Sequence, residues 1–160
     1  MKILCTGDQT YGLCKALAET KLDIEFICEK DYLFNQTDFI RSVEQKSLDA
    51  EIFINCAKLS GFLQTKLLYN IYYLWSQMEK KGLIISVGSD IIHHPKPTMY
   101  CLEKQTLKSL HDMLYNKNED IKLSLIHPGK LGDGHLPYSD IAIAITNVMI
   151  TQNVREITIA

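Results

Sequence analysis

The sequence predicts an α/β protein: a doubly wound parallel sheet of about seven strands between two layers of helices, an α/β/α arrangement. Two observations favour this fold class. Short apolar runs typical of buried strands alternate along the chain with segments whose apolar residues have helical spacing. The strand-like runs are apolar on both faces, as parallel strands are when helices cover both sides of the sheet. Right-handed crossovers then wind such a sheet in both directions.

The first half of the chain alternates three strands with two helices. The strands are predicted at 2–6, 24–28 and 50–57, and the helices at 12–20 and 37–45. Gly7 ends the first strand, and Thr37 is a capping residue at the start of the second helix.

The second half continues the alternation with longer helices. The longest helix is predicted at 61–81, rich in Leu and Tyr, with Gly82 as its stop signal. After it the sequence predicts a strand at 83–88, a helix at 99–115, a strand at 121–127, a helix at 138–150 and a strand at 155–160.

Bulk properties exclude several classes of protein. The 160 residues fit a single domain, 1–160, with 46% hydrophobic and 22% charged residues and a net charge of −2. This charge balance lacks the excess of basic residues that is typical of nucleic-acid-binding proteins. No apolar run reaches the roughly 18 residues of a membrane span, and the apolar start is too short for a signal peptide. We therefore expect neither nucleic acid nor a membrane as partner.

The five cysteines predict a cytoplasmic protein. They are scattered and odd in number, form no C-x-x-C pair, and mostly lie in apolar runs, where Cys acts as a small hydrophobe. A reducing cytosol is the simplest setting. We expect no metal site, because the adjacent His93 and His94 rarely point at one ion and have no acidic or Cys partner nearby.

In a sheet of this kind, ligands bind at the carboxyl ends of the strands. Gly7 and Gly12 lie in the turn after the first strand, "TGDQTYGLC", where backbone amides can approach a pyrophosphate closely. Alternatively, Gly7 only forms the turn. The second strand ends in "FICEKD", where Glu29 can accept hydrogen bonds from a ribose 2′-hydroxyl and Lys30 can bind a 2′-phosphate.

Further polar groups follow the later strands. Ser86 and Ser89 are candidate hydroxyls in "SVGSD", and Tyr100 and Lys104 share one helix face four residues apart. The same spacing occurs at Tyr11–Lys15, so it identifies no site by itself. Pro128 and Gly129 turn the chain after the next strand.

Taken in order, these pieces resemble the short-chain dehydrogenase/reductase family over nearly the whole chain, and the resemblance implies a Rossmann-like fold. "TGDQTYGLCKALAE" is similar to the family's TG-x-x-x-G-x-G loop, and "INCA" to its N-N-A-G. Ser89 resembles the catalytic serine, Tyr100 and Lys104 the Y-x-x-x-K pair, and Pro128-Gly129 the P-G motif. The Tyr11–Lys15 match has no such context.

The resemblance implies an oxidoreductase that transfers hydride between a nicotinamide and a carbonyl or alcohol substrate. Ser89, Tyr100 and Lys104 would be catalytic. The cofactor, NAD or NADP with NAD slightly favoured, would be held by seven residues and by Lys104: Gly7, Gly12, Glu29, Asn55, Ala57, Pro128 and Gly129. The family commonly dimerises through the long helix, which implies a homodimer or homotetramer.

Several departures from the family pattern favour an alternative. Cys14 stands where the third glycine would be, Lys58 replaces the glycine of N-N-A-G, and the chain is short for the family. The relay Asn of the long helix has two candidates, Gln64 and Asn70, and neither is assigned. The alternative is a non-catalytic dinucleotide-binding protein, a sensor or regulator; a weaker one is an oligomeric scaffold without a cofactor.

Overall fold

The structure, a computed structural model, describes residues 1–33, 35–57 and 61–160. Its strands form one parallel sheet of six in the order β2-β1-β3-β4-β5-β6. The strands are β1 (Ile3–Thr6), β2 (Ile24–Ile27), β3 (Ile52–Asn55), β4 (Gly82–Val87), β5 (Ile121–Pro128) and β6 (Glu156–Ile159).

In the described residues, five α-helices alternate with these strands. They are α1 (Gly12–Ala18), α2 (Gln36–Ser47), α3 (Leu63–Gln77), α4 (Met99–Leu114) and α5 (Tyr138–Thr151). Short 3₁₀ turns at Glu29–Tyr32 and Asp90–His93 follow β2 and β4. Within the described ranges, no helix is both long and apolar enough to cross a membrane.

The two faces of the sheet carry separate cores, which gives the three layers. Along β1, Leu4 packs with α2, α3 and α4, whereas Ile3 and Cys5 pack with α1 and α5. Successive strand residues point to opposite faces. This alternation explains why the strands read as continuous apolar runs, and the doubly wound α/β class is confirmed.

The strand count and some element ends differ from the sequence-based expectation. The described residues contain six strands, close to the expected seven. The helix expected at 61–81 begins only at Leu63, because Gly61 and Phe62 have left-handed φ angles of 70° and 59°. It ends at Gln77, and Glu79 has a φ of 52° that continues no helix. β3 is shorter than expected because Asn55 ends its pairing with β4.

The order of the strands fixes where a ligand can bind. β2 pairs with one edge of β1 and β3 with the other, so the winding direction reverses at β1. The loops that follow β1 and β3 therefore diverge to opposite faces and leave a crevice at the carboxyl edge of the sheet.

Candidate functional site

A cleft of about 930 Å³ lies at this carboxyl edge. Its wall is built by the loops that follow β1 to β5, together with the first turns of α1 and α4. Nine of the predicted site residues line it: Gly7, Gly12, Glu29, Ala57, Ser89, Tyr100, Lys104, Pro128 and Gly129. Sequence positions more than 120 residues apart thus meet in one cavity.

Both predicted loop glycines have backbone angles that side chains disfavour. Gly7 has a φ of 139° and donates its amide to the Ile27 carbonyl at 2.9 Å, which joins the loop to β2. Gly12 has a φ of 62° at the start of α1. A Cβ on Gly7 would lie 2.4 Å from Cys14 Sγ, so the missing side chain also makes room for that sulfur.

An ion pair that the sequence did not indicate closes one side of the loop. The Lys30 ammonium contacts the Asp8 carboxylate, and Asp8 also accepts hydrogen bonds from the Thr10 amide and hydroxyl. The contact with Lys30, followed by those with Thr10, lowers the pKa of the Asp8 carboxyl to about 2. Asp8 is therefore ionised, and Lys30, a candidate phosphate ligand, is already engaged by it.

The three predicted catalytic side chains also line the cleft. Ser89 precedes the 3₁₀ turn after β4, and its Oγ accepts from the Ile91 amide at 3.2 Å. That contact uses a lone pair and leaves the hydroxyl proton free to be donated. Tyr100 lies in the first turn of α4, which Thr98 caps by accepting from the Cys101 amide at 3.2 Å.

Lys104 is held by a buried polar network below the cleft. Its side chain is only 6% exposed, and Nζ donates to Gln64 Oε1 at 2.6 Å and to the Val87 carbonyl at 3.1 Å. Nζ lies 5.7 Å from the centroid of the Tyr100 ring. A buried cation is thus placed beside the phenol of the same helix face.

Gln64 is the side chain of the long helix that reaches this network. Its Nε2 donates to the carbonyls of Asn55 at 3.0 Å and Val87 at 2.9 Å. Asn70, the other candidate left open by the sequence, instead donates to Glu44 Oε1 at 3.0 Å, on the α2 side of the helix. Of these two candidates, Gln64 is the one that contacts Lys104.

Two predicted polar residues lie beneath the cleft and do not line it. Asn55 is fully buried; its Nδ2 donates to the Gln64 carbonyl at 2.8 Å and to Ser86 Oγ at 3.4 Å. Its side chain positions the end of β3 and is not among those that line the cleft. Ser86 is buried with it. Lys58, the departure from N-N-A-G, lies outside the described residues.

The turn after β5 packs closely against the end of the sheet. The Gly129 amide donates to the Ile159 carbonyl at 2.7 Å, and a Cβ on Gly129 would lie 3.2 Å from Ala160 Cα. A side chain at this position would therefore press against the end of the chain that follows β6. Pro128 and Gly129 form the cleft wall that faces Ser89 and Asp90.

Three cysteines converge under the loop after β1, which the sequence analysis missed. The Sγ atoms of Cys5, Cys14 and Cys56 lie within 4.8 Å of one another. Hydrogen bonds from the neighbouring thiols lower the pKa of Cys14, whereas burial raises the pKa of Cys5. No local spacing joins residues 5, 14 and 56, so only the predicted topology could have suggested their approach.

Four further residues considered from the sequence lie in separate places: Tyr11, Lys15, His93 and His94. Tyr11 directly precedes α1 and borders the cleft, while Lys15 is exposed. His93 Nε2 lies 3.1 Å from Thr158 Oγ1, and His94 faces the cleft. In the ranges the structure covers, neither histidine belongs to a group of potential metal ligands.

No family model and no curated protein matches the chain in sequence. Solved structures do match in fold. An alcohol dehydrogenase from Comamonas testosteroni, specific for bulky-bulky ketones, has 16% identity and a TM-score of 0.73 over 98% of this chain and 85% of its own. An alcohol dehydrogenase from the archaeon Thermococcus sibiricus, complexed with 5-hydroxy-NADP, has 15% identity and a TM-score of 0.72 over 99% and 95%.

A short chain dehydrogenase from Leptospira borgpetersenii with bound NAD+ is similar in the same way. It has 17% identity and a TM-score of 0.71, covering 99% of this chain and 89% of its own. The chain therefore has the fold of the short-chain dehydrogenases, and the Rossmann-like fold that the resemblance implied is confirmed.

Proposed function

We propose that this protein is an NAD(P)-dependent oxidoreductase of the short-chain dehydrogenase/reductase type. The observation that carries the proposal is the meeting of Ser89, Tyr100 and Lys104 in the cleft that the glycine loop also lines. Similar folds have been solved with 5-hydroxy-NADP and with NAD+, which supports a nicotinamide dinucleotide as cofactor.

The cleft has features that suit a dinucleotide. Gly7 leaves the backbone of the loop open to a pyrophosphate, and Glu29 lies where it can accept from a ribose hydroxyl. Lys104, Ala57, Pro128 and Gly129 would border the nicotinamide end. Cys14 does not displace the loop, because its sulfur occupies the space that Gly7 leaves.

The proposed catalytic roles follow from the contacts of each side chain. Lys104 is fixed by Gln64 and Val87, which holds its positive charge beside the ring of Tyr100. Tyr100 transfers the proton to or from the substrate oxygen, and the Ser89 hydroxyl donates to that oxygen and positions it. The bound nicotinamide supplies or accepts the hydride. The substrate class is a small-molecule carbonyl or alcohol.

NAD is favoured over NADP as the cofactor because of the ion pair between Asp8 and Lys30. A 2′-phosphate in this part of the cleft would meet the Asp8 and Glu29 carboxylates, and Lys30 would have to leave Asp8 to bind it. A ribose 2′-hydroxyl meets no such repulsion.

Fluorescence titration with NADH and NADPH tests the cofactor step. We expect saturable binding of NADH, tighter than that of NADPH. No binding of either at millimolar concentration would contradict both the enzyme and the dinucleotide-binding alternative.

A screen of carbonyl substrates then tests the chemistry. We expect Tyr100→Phe to lower turnover by roughly 100-fold or more, the lower range of general acid–base catalysis, and to leave NADH binding intact. Tyr115→Phe, directly after α4 and outside the cleft lining, is the matched control. Unchanged turnover in Tyr100→Phe would refute the assignment.

The second candidate function is dinucleotide binding without turnover. It is favoured by one departure in the loop, Cys14 in place of a glycine. NADH binding without oxidation of any carbonyl or alcohol in the screen would favour this candidate.

We also propose that the protein is a homodimer or homotetramer in the cytoplasm. A groove between α3 and α4 carries exposed Tyr69, Tyr73 and Met113, an apolar surface suited to a second copy. The five thiols are free, in keeping with a reducing compartment. Light scattering coupled to size-exclusion chromatography tests the assembly, and a monomer at micromolar concentration would contradict it.

A further inference from the structure

We propose that Cys5, Cys14 and Cys56 form a binding site for one soft metal ion held by three thiolates, and that Cu(I) is the ion that fits it best. The site lies under the loop after β1 and does not depend on the oxidoreductase function.

The sulfur positions are close to those that one ion requires. Cys14 Sγ and Cys56 Sγ are 3.7 Å apart, and all three Sγ atoms lie within 4.8 Å of one another. Metal–sulfur bonds near 2.3 Å place the sulfurs of one ion roughly 3.8–4.0 Å apart. Side-chain adjustments of less than about 1 Å would therefore complete the set.

The three ligands come from different elements whose backbones are fixed by the fold. Cys5 lies within β1 and is completely buried, Cys14 lies in the first turn of α1, and Cys56 directly follows β3. The backbone amide of Cys56 donates to Thr6 Oγ1 at 3.1 Å, which ties the end of β3 to β1. The sulfurs are thus brought together by the sheet and not by a flexible loop.

The space beside the sulfurs is provided by Gly7. A Cβ at this position would lie 2.4 Å from Cys14 Sγ, so any other residue would push the sulfur out of the group. Cys14 and Cys56 also border the cleft, whereas Cys5 lies deeper. An ion can therefore enter from the cleft and meet Cys5 last.

The ligand set selects the kind of ion. Thiolates prefer soft ions such as Cu(I) and Zn(II) over Mg²⁺, Ca²⁺ or Mn²⁺. Within the part of the chain that the structure describes, the group offers three sulfurs and no fourth Cys, His, Asp or Glu. Structural zinc sites almost always have four protein ligands, whereas Cu(I) is satisfied by three sulfurs, so Cu(I) is favoured.

Competition with a coloured Cu(I) chelator tests the proposal. The full chain, kept under argon with ascorbate as reductant, is titrated into the Cu(I)–chelator complex. We expect the wild-type protein to withdraw one equivalent of Cu(I), and X-ray absorption to show three sulfur neighbours. Cys14→Ser and Cys56→Ser should each weaken binding by roughly 100-fold or more, since even an outer-shell change costs 10–100-fold.

Two cysteines outside the group give matched controls. Cys28→Ser, at the cleft, and Cys101→Ser, in α4, should bind Cu(I) as the wild type does. Circular dichroism of each variant separates a lost ligand from a lost fold, and Cys14→Ala provides a second non-ligand at the same position. A parallel Zn(II) titration that binds more tightly than Cu(I) would overturn the choice of ion.

Other outcomes would overturn the site itself. These are no withdrawal of Cu(I) by the wild type, fewer than three sulfur neighbours, or equal losses in Cys14→Ser and Cys28→Ser. NADH titration of the metal-free protein is independent of all of them. Failure of the metal site therefore leaves the proposed oxidoreductase function standing, and the converse also holds.

Discussion

At the scale of single residues, Gln64 is the side chain on which the arrangement of Lys104 depends. Its amide makes three buried contacts, with Lys104 Nζ, the Asn55 carbonyl and the Val87 carbonyl. Replacing it removes the acceptor at 2.6 Å from a buried ammonium, and a hydrogen bond to a charged group contributes more than a neutral one.

We predict that Gln64→Leu lowers the free energy of unfolding by roughly 3 kcal/mol, which is more than one ordinary hydrogen bond contributes. Urea unfolding of both proteins measures this difference. Asn70→Leu is the matched control on the same helix; it loses one partly buried contact to Glu44, and we expect about 1 kcal/mol or less. Equal losses in the two variants would contradict the role of Gln64.

A second residue-scale prediction concerns cofactor choice. Asp8→Asn removes the partner of Lys30 and a negative charge from the loop, so Lys30 becomes available to a 2′-phosphate. We expect NADPH to bind several-fold more tightly in this variant, with little change for NADH, as measured by fluorescence titration. Asp31→Asn, a neighbouring exposed carboxylate, should leave the NADPH/NADH ratio unchanged. The same ratio in Asp8→Asn as in the wild type would refute this explanation.

At the scale of elements, the turn from β1 to α1 depends on the backbone of Gly7. Gly7→Ala places a Cβ against Cys14 Sγ at a φ of 139°, so strain and overlap add. We predict a loss of roughly 2–4 kcal/mol in the free energy of unfolding, measured by urea. Gly134 also has a positive φ, of 74°, but open space around it, and Gly134→Ala should cost about 1 kcal/mol. A smaller loss at Gly7 than at Gly134 would contradict the close packing.

His111, a buried histidine of α4, predicts that the stability of the protein depends on pH. His111 is 1% exposed, its Nε2 has no partner among the described residues, and burial lowers its pKa from 6.5 to about 4. The unfolded chain binds this proton more tightly, so stability falls as the pH drops from 6.5 towards 4. The charged groups acting on His111 are Asp112, Glu156 and Lys108.

We therefore expect His111 to destabilise the fold by roughly 2 kcal/mol at pH 5 relative to pH 7. His111→Gln should remove most of this difference in urea unfolding, and His127, whose pKa burial also lowers, accounts for a remaining slope. His135→Gln, on the exposed loop before α5, is the control and should keep the wild-type difference. An unaltered pH slope in His111→Gln would exclude His111 as its origin.

The elements also show which parts of the site a sequence can predict. The glycine loop, the strands and the Tyr100–Lys104 pair depend on local patterns, so a sequence can predict them. In the structure the loop and the Tyr100–Lys104 pair line the cleft at the carboxyl ends of the strands. Gln64 and Asn70 could not be distinguished, because the choice depends on where α3 begins, which left-handed residues 61 and 62 decide. The Asp8–Lys30 pair and the three cysteines depend on contacts between distant segments, for which the sequence has no local signal.

At the scale of the whole molecule, the proposed cofactor site and both cores share one sheet. The cleft is bounded by the ends of β1, β3, β4 and β5, and each of these strands contributes residues to the core on either face. Opening one core therefore disrupts the strands that carry the other. A ligand bound at the carboxyl edge is expected to stabilise the entire molecule and not one layer.

This arrangement predicts one cooperative unfolding transition that shifts upward with NADH. At a concentration 100 times its dissociation constant, a ligand specific to the native state adds about 2.7 kcal/mol to the free energy of unfolding. For a chain of this size that corresponds to a rise in Tm of roughly 5–11 °C. Differential scanning calorimetry with increasing NADH measures the shift, and ATP at equal concentrations controls for general effects of phosphate charge. Two transitions, of which NADH moves only one, would show that the layers unfold separately and would refute the coupling through the shared sheet.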